Sequence, residues 1–298
     1  MDRKDYIGST GAPGVIGTHA QKGPHDVWLE CMGRPMKPSA YMEISLIDEI
    51  SHTEMIKRKL AGLDIDPVVI KEVATYFVQR DGVNLGASPD RIAVKSNRHR
   101  LPLFLIEMKN AFMQDRDSWG EEFSADVTPG YRDQCIWHMG CAAVNGHPVE
   151  RTLLSVRFSA FNWPEFFWIP RDDQRFLYMV SECVNFWKTY VDTKTPPPAD
   201  PSPACRRAQL IAQEWEDKQR EVTEEEYAKL QQIKKMSATK DSLGKSIDQL
   251  KNELVEALNG HMRLNRFDRK VMGVSKESKK GTRSVTMNLA NVEEMANE

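Results

Sequence analysis

The chain has 298 residues, 40% of them hydrophobic and 28% charged, and a formal net charge of -2. This is the profile of an ordinary globular protein with room for one large domain, or one domain plus an appendage. The near balance of charge excludes a globally basic nucleic-acid binder, so a role on nucleic acid needs a local basic groove. No apolar run is long enough to span a membrane, and Met1-Asp2-Arg3-Lys4-Asp5 is unlike a signal peptide. The five cysteines are scattered and form no CxxC pair, which argues for reduced thiols in a cytoplasm and against zinc or iron–sulfur ligation.

In chain order, Tyr6 to Gly17 is a Gly-rich loop of small residues running into a weakly helical stretch. Its amides and hydroxyls suit a phosphate, although no Gly-Lys-Ser/Thr makes it a P-loop. A flexible N-terminus explains the same residues. His25 to Met32 reads as a short amphipathic helix stopped by Gly33 and Pro35. From Ser39 to about Leu60 the spacing of Met42, Leu46, Ile47, Ile50, Met55 and Ile56 predicts an amphipathic helix carrying Asp48, Glu49 and Glu54 on its polar side. Val68 to Gln79 is rich in β-branched and aromatic residues and reads as one strand.

The stretch that follows carries the most chemistry. Pro89 and Gly86 mark a turn around Asp90, Ile92 to Lys95 reads as a short strand, and Leu101 to Lys109 is an apolar run that ends abruptly in charge. Side chains alternate along a strand, so Glu107 and Lys109 share a face. Two carboxylates on adjacent strands can hold a hard divalent cation whose remaining positions go to water and phosphate. A lysine beside them can orient water or neutralise charge developing during phosphodiester hydrolysis. Taken alone, such a D…ExK pattern recurs by chance, and a solvated surface hairpin is the better explanation of it.

Asn110 to Pro129 reads as a long loop able to close over DNA. Gly130 to Val144 reads as a helix, Thr152 to Phe161 and Glu165 to Ile169 as strands, and Asp172 to Val191 as a helix with a buried apolar stripe. A mixed α/β domain over residues 1–195 results. A Pro-rich linker occupies 196–204. Residues 205–262 read as a helical hairpin with heptad-like steps at Leu243, Ile247, Leu250, Leu254 and Leu258, opened in part by a capping box at Thr223-Glu224-Glu225-Glu226. The end, 263–298, is a basic then polar tail, whose basic part either tracks phosphates or is solvated and partly disordered.

Several of these pieces, in this order, resemble the phage-type YqaJ recombinase family, which includes lambda exonuclease-like enzymes of the PD-(D/E)XK superfamily. The similarity spans roughly residues 3–198 and rests on Ile7-Gly8-Ser9-Thr10 through Gly17, Val27-Trp28-Leu29-Glu30 with Gly33, Ser88-Pro89-Asp90, Glu107 with Lys109, and Tyr131-Arg132-Asp133-Gln134. The resemblance implies a restriction-endonuclease-like core, a central mixed sheet flanked by helices, here with a C-terminal helical extension. It implies a metal-dependent exonuclease that degrades linear duplex DNA from an end, 5′ to 3′, exposing single strand for recombination.

By that resemblance Asp90 and Glu107 hold Mg²⁺, with Mn²⁺ as a substitute, assisted by Glu49. Asp48 competes for the role of Glu49. Lys109 acts on the water or the transition state, and Gln134 positions water or phosphate. Arg3 and Thr10 hold the 5′ phosphate. Arg91 stands where the family has Gly, and either crowds the turn or contacts DNA. His138 is read as a packed histidine. The resemblance also implies a single-strand annealing partner and a homo-oligomeric ring, a trimer by the family pattern. An endonuclease or resolvase of the same superfamily and a non-catalytic recombination scaffold are the rival readings. A third assigns the main role to the C-terminal helices as an adaptor.

Overall fold

The computed structural model describes residues 1–34, 40–63, 69–96, 98, 101–159, 162–200, 205–206, 210, 223–257, 263–266, 269–274 and 285–287. Two compact units divide the chain, Met1–Trp215 and Glu216–Glu298. The division falls after the Pro-rich segment, not within it.

The first unit is built on a five-stranded mixed sheet. Its strands are β1 (Val69–Lys71), β4 (Arg91–Val94), β5 (Phe104–Asn110), β6 (Arg151–Arg157) and β7 (Glu165–Pro170), hydrogen-bonded in that order. Only β5 and β6 run parallel, with Glu107 beside Leu154 and Lys109 beside Val156. The crossover between them carries helix α4 (Pro129–Val144), as a parallel pair requires.

The alternation of β5 sorts its side chains between two cores. Phe104 and Ile106 pack with Ala93, Leu153, Phe166 and with Ile56 and Leu60 of helix α3 (Ala40–Ala61). Leu105 joins the larger cluster with Leu154, Val156 and the buried residues of α4 and of α5 (Asp173–Phe186). The sheet therefore lies between α3 on one face and α4 with α5 on the other, and Glu107 and Lys109 point to the α4 side.

Val68 to Gln79 is not one strand. It breaks into β1, in the main sheet, and β2 (Tyr76–Arg80), which pairs only with β3 (Val83–Ala87). β-propensity reports extended backbone but not partners, so it does not reveal a strand that changes sheet. Asp81 and Gly82, with φ of 50° and 84°, form the two-residue turn of this hairpin; positive φ at both positions is what Asp-Gly supplies. The hairpin carries the chain to Asp90 and is joined by Ile7, bridged to Leu85.

The short helices α1 (Gly11–Val15) and α2 (Pro24–Cys31) pack on each other and α1 on α4. After α5 the chain makes a π-helical turn, Trp187–Val191. The loop from Ala111 to Thr128 is held down at Arg116, which hydrogen-bonds Glu165 at 3.0 Å and the carbonyls of Trp119 and Gly120 at 3.1 and 3.0 Å. Trp119 is buried. The loop read as able to close over DNA is pinned to β7 by Arg116 and also by the Phe123 N–H donating to the Phe166 carbonyl at 2.6 Å, the Trp168 N–H to the Ser124 carbonyl at 3.1 Å and the Phe166 N–H to Glu122 Oε1 at 3.0 Å.

In the second unit α6 (Glu224–Ala257) is a single 34-residue helix. Thr223 and Glu226 exchange the reciprocal bonds of a capping box, at 2.9 and 3.2 Å. Most of the first arm expected from Cys205, and Leu258, lie outside the described residues. The segment read as a basic then polar tail holds a three-stranded antiparallel sheet of β8 (Arg263–Arg266), β9 (Arg269–Val274) and β10 (Val285–Met287). Basic residues interleaved with Leu264, Val271 and Met272 permit strands that a count of charge overlooks. Lys276, Lys279 and Lys280 fall outside the described residues.

Candidate active site

Asp90 lies in the turn that feeds β4, and its Oδ2 accepts the Met108 N–H at 2.6 Å. That bond fastens the turn to β5, so the two carboxylates of Asp90 and Glu107 are set by one strand pair. Ser9 holds the same turn from the other side by accepting the Ser88 N–H at 3.2 Å. Glu107 is 1% exposed. Its Oε1 accepts from Gln134 Nε2 at 2.6 Å and pairs with the Lys109 ammonium. Its Oε2 faces His138 Nδ1 at 3.3 Å, off the line a hydrogen bond needs.

Among the described residues Glu107 Oε2, Gln134 Oε1 and both ring nitrogens of His138 have no hydrogen-bond partner. Buried polar atoms are normally satisfied, and a cluster of orphans marks a place where an ion or water belongs. Burial, then the Glu107 charge, pushes the Asp90 carboxyl up to about 7. Burial likewise raises Glu107, with Lys109 opposing. Burial works against the Lys109 charge, but Glu107 and Asp90 outweigh it and raise the ammonium above its ordinary value. Burial lowers His138 to about 3, so its ring is neutral.

A hard divalent cation fits this donor set. The oxygens are carboxylate and amide, one of each is orphaned, and two carboxyls whose ionisation is suppressed by burial would both ionise beside a cation.

The α3 acids are each held by an arginine. Glu49 pairs with Arg91 and Asp48 with Arg157. Arg91 stands opposite Ile106, so it and Glu49 occupy the α3 face and approach Glu107 around the strand ends; Glu49 is near enough to raise the Glu107 carboxyl. Of the two acids that compete on sequence, Glu49 is the one whose charge reaches Glu107. Arg91 is engaged by Glu49 and by the Asp90 carbonyl at 2.6 Å, a stitch inside the site.

Arg3 and Thr10 belong to a second cluster. Lys22 Nζ reaches Thr10 Oγ1 at 3.3 Å and Glu30 at 2.6 Å, and Arg3 lies 3.6 Å from Glu30. His19, pushed down to about 4 by burial and by Lys22 and Lys109, stands within range of both clusters. Beside Lys109 a cleft of about 430 Å³ is lined by His19, Asn110, Phe112, Trp119 and Tyr131, among others. The Lys109 ammonium sits 5.7 Å from the Tyr131 ring.

Sequence reasoning missed Lys22 and His19, which carry no local signal, and set His138 aside as packing. Glu30 was inside a quoted motif but had no assigned role.

The mixed sheet carries Asp90, Glu107 and Lys109 at two adjacent strands, the placement that the resemblance implies. Residues 1–145 match the model of the YqaJ-like viral recombinase domain, the family their motifs resemble. The fold is also similar to an alkaline exonuclease from Laribacter hongkongensis, at 15% identity and a TM-score of 0.47, over 64% of this chain and 90% of that one. The same exonuclease in complex with dAMP gives 16% identity and a TM-score of 0.46 over the same shares. A Eubacterium rectale structure named an exonuclease gives 12% and 0.44, over 74% of this chain and 91% of that one. No curated protein matches the sequence.

Proposed function

We propose that this chain is a divalent-metal-dependent deoxyribonuclease that degrades linear duplex DNA from a 5′ end to expose single strand for phage-type recombination. The observation that carries the reading is the buried Asp90–Glu107–Lys109–Gln134 cluster with its orphaned carboxylate oxygen. Asp90 and Glu107 would hold Mg²⁺, or Mn²⁺ in its place, with Glu49 reaching them on release from Arg91. When bound, such an ion lowers the pKa of water and screens phosphate charge.

The chain's own residues do the rest. Lys109 stays protonated, so its role is to stabilise negative charge on the phosphate and not to take a proton. Gln134 fixes Glu107 through Nε2 and leaves Oε1 for water. Arg3, Thr10 and Lys22 would hold a terminal 5′ phosphate, with Glu30 offsetting their charge until the phosphate arrives. The aromatic walls of the cleft suit a base leaving the stack.

The test is digestion of linear and covalently closed duplex with Mg²⁺, with and without chelator, using duplex labelled at the 5′ or 3′ end. The expected outcome is metal-dependent loss of linear duplex only, with the 5′ label released first. Asp90→Ala and Lys109→Ala should each lower the rate by at least about 100-fold. Equal digestion by all three proteins would sink the assignment, and cutting of closed circles would favour an endonuclease. The family likeness further supports a ring of several copies and a single-strand annealing partner; light scattering and co-purification with an annealing protein test these.

A further inference from the structure

A second group of chemistry-bearing side chains lies outside the site above. His25, in the first turn of α2, Asp200, in the Pro-rich segment, and Cys205 bring one ligand atom each to within 4.8 Å of one another. His25 lies 180 residues from Cys205, which is why cysteine spacing gave no hint of the group. His25 Nδ1 and Cys205 Sγ are 3.4 Å apart. Sulfur and nitrogen bound to one tetrahedral zinc, at about 2.3 and 2.0 Å, stand about 3.5 Å apart, so this pair is already at ligating distance. The Asp200 N–H also points at the sulfur, at 3.4 Å, the kind of outer contact that supports a metal-bound thiolate.

We propose that His25, Asp200 and Cys205 form a binding site for a single zinc ion, which staples the Pro-rich segment to α2. The donor set suits the metal: a thiolate, an imidazole and a carboxylate are the borderline ligands zinc takes, and magnesium avoids sulfur. His25 and Cys205 are buried and Asp200 is partly exposed, and water would supply the fourth ligand. Binding replaces the thiol proton of Cys205, released to solvent, and takes the lone pair of a neutral His25 Nδ1; no oxidant or reductant enters. Closing the three donors onto one ion draws the widest pair in by about 1 Å, a movement available to an extended segment. The competing account is a metal-free thiol–imidazole contact.

The test uses the full chain, stripped with chelator, held reduced, and titrated with Co²⁺. The expected result is a thiolate-to-cobalt charge-transfer band with tetrahedral ligand-field bands, saturating near one equivalent and bleached by Zn²⁺. An all-oxygen site such as Asp90 with Glu107 cannot produce the charge-transfer band, so failure of this site and failure of the nuclease reading are separable. Cys205→Ser should abolish the band, keep Mg²⁺-dependent DNA cleavage, and bind Zn²⁺ at least about 100-fold more weakly, beyond the 10–100-fold typical of losing an outer partner. Asp200→Asn, which leaves the buried pair intact, should weaken binding and shift the ligand-field bands. Absence of the band in the unaltered chain, or its persistence in Cys205→Ser, overturns the proposal.

Discussion

Glu107 is pulled by three neighbours, Gln134, Lys109 and His138, while its second oxygen is left without a hydrogen bond. The alternation of β5 placed Glu107 and Lys109 together from sequence alone, and the resemblance supplied Gln134. His138 and Lys22 were illegible because their roles arise where helices pack, not from any local pattern. Asp48 and Glu49 are neighbours on one helix, so sequence could not choose between them; Arg157 and Arg91 separate them in space. Away from this cluster, His52 shares a hydrogen bond of 2.9 Å with Ser155 Oγ. Burial and the Arg157 charge lower it from 6.5 to about 4, with Asp48 opposing. The folded protein thus keeps His52 neutral while the unfolded chain takes up a proton below 6.5. Its stability contribution is present above that value and is lost as pH falls towards 4. His52→Gln should flatten this limb of a denaturation series by at most about 1.4 kcal/mol per pH unit. An unchanged acid limb would show that other groups set it.

At the scale of elements, α4 is the hub, and Asp133 is its main tie. Fully buried, Asp133 accepts Arg175 Nε and Nη2 at 2.9 and 2.8 Å and Thr18 Oγ1 at 2.7 Å. One carboxylate therefore joins α4 to α5 and to the loop that carries His19. Arg175→Ala would leave that charge buried with a single hydroxyl. A loss of about 3 kcal/mol is expected, at the low end for a broken buried pair because Arg175 is partly exposed. Chemical denaturation measures it, and a loss under about 1 kcal/mol would mean that water replaces the guanidinium. Helices and strands with a clear period were legible at nearly their true bounds, as at Ala40–Ala61 and Pro129–Val144. The division of β1 from β2 was not, because which sheet a strand joins depends on partners distant in sequence. Asp133 was quoted as part of a motif, yet its tie to Arg175 could not be read without the packing of α4 on α5.

For the whole molecule, the two hydrophobic clusters and every residue of the candidate active site lie within Met1–Trp215. The change of composition after the Pro-rich tract was legible, but the division of the chain was not. Asp200 and Cys205 belong to the first unit and meet its residue His25, and such a contact leaves no trace in composition. The second unit presents Ile233, Met236, Leu243 and Ile247 on α6, each more than half exposed, and its own small sheet. A unit with its own elements and no share of the site should be removable without loss of chemistry. A chain ending at Trp215 is therefore expected to fold cooperatively, to unfold within a few degrees of the first transition of the full chain, and to cleave linear duplex with Mg²⁺ at a rate within a few-fold. Thermal unfolding and end-labelled digestion, run side by side, check both halves. A truncated chain that folds yet cleaves at least about 100-fold more slowly, the loss expected from removing a group that acts in the transition state, would assign the second unit a direct part in the reaction.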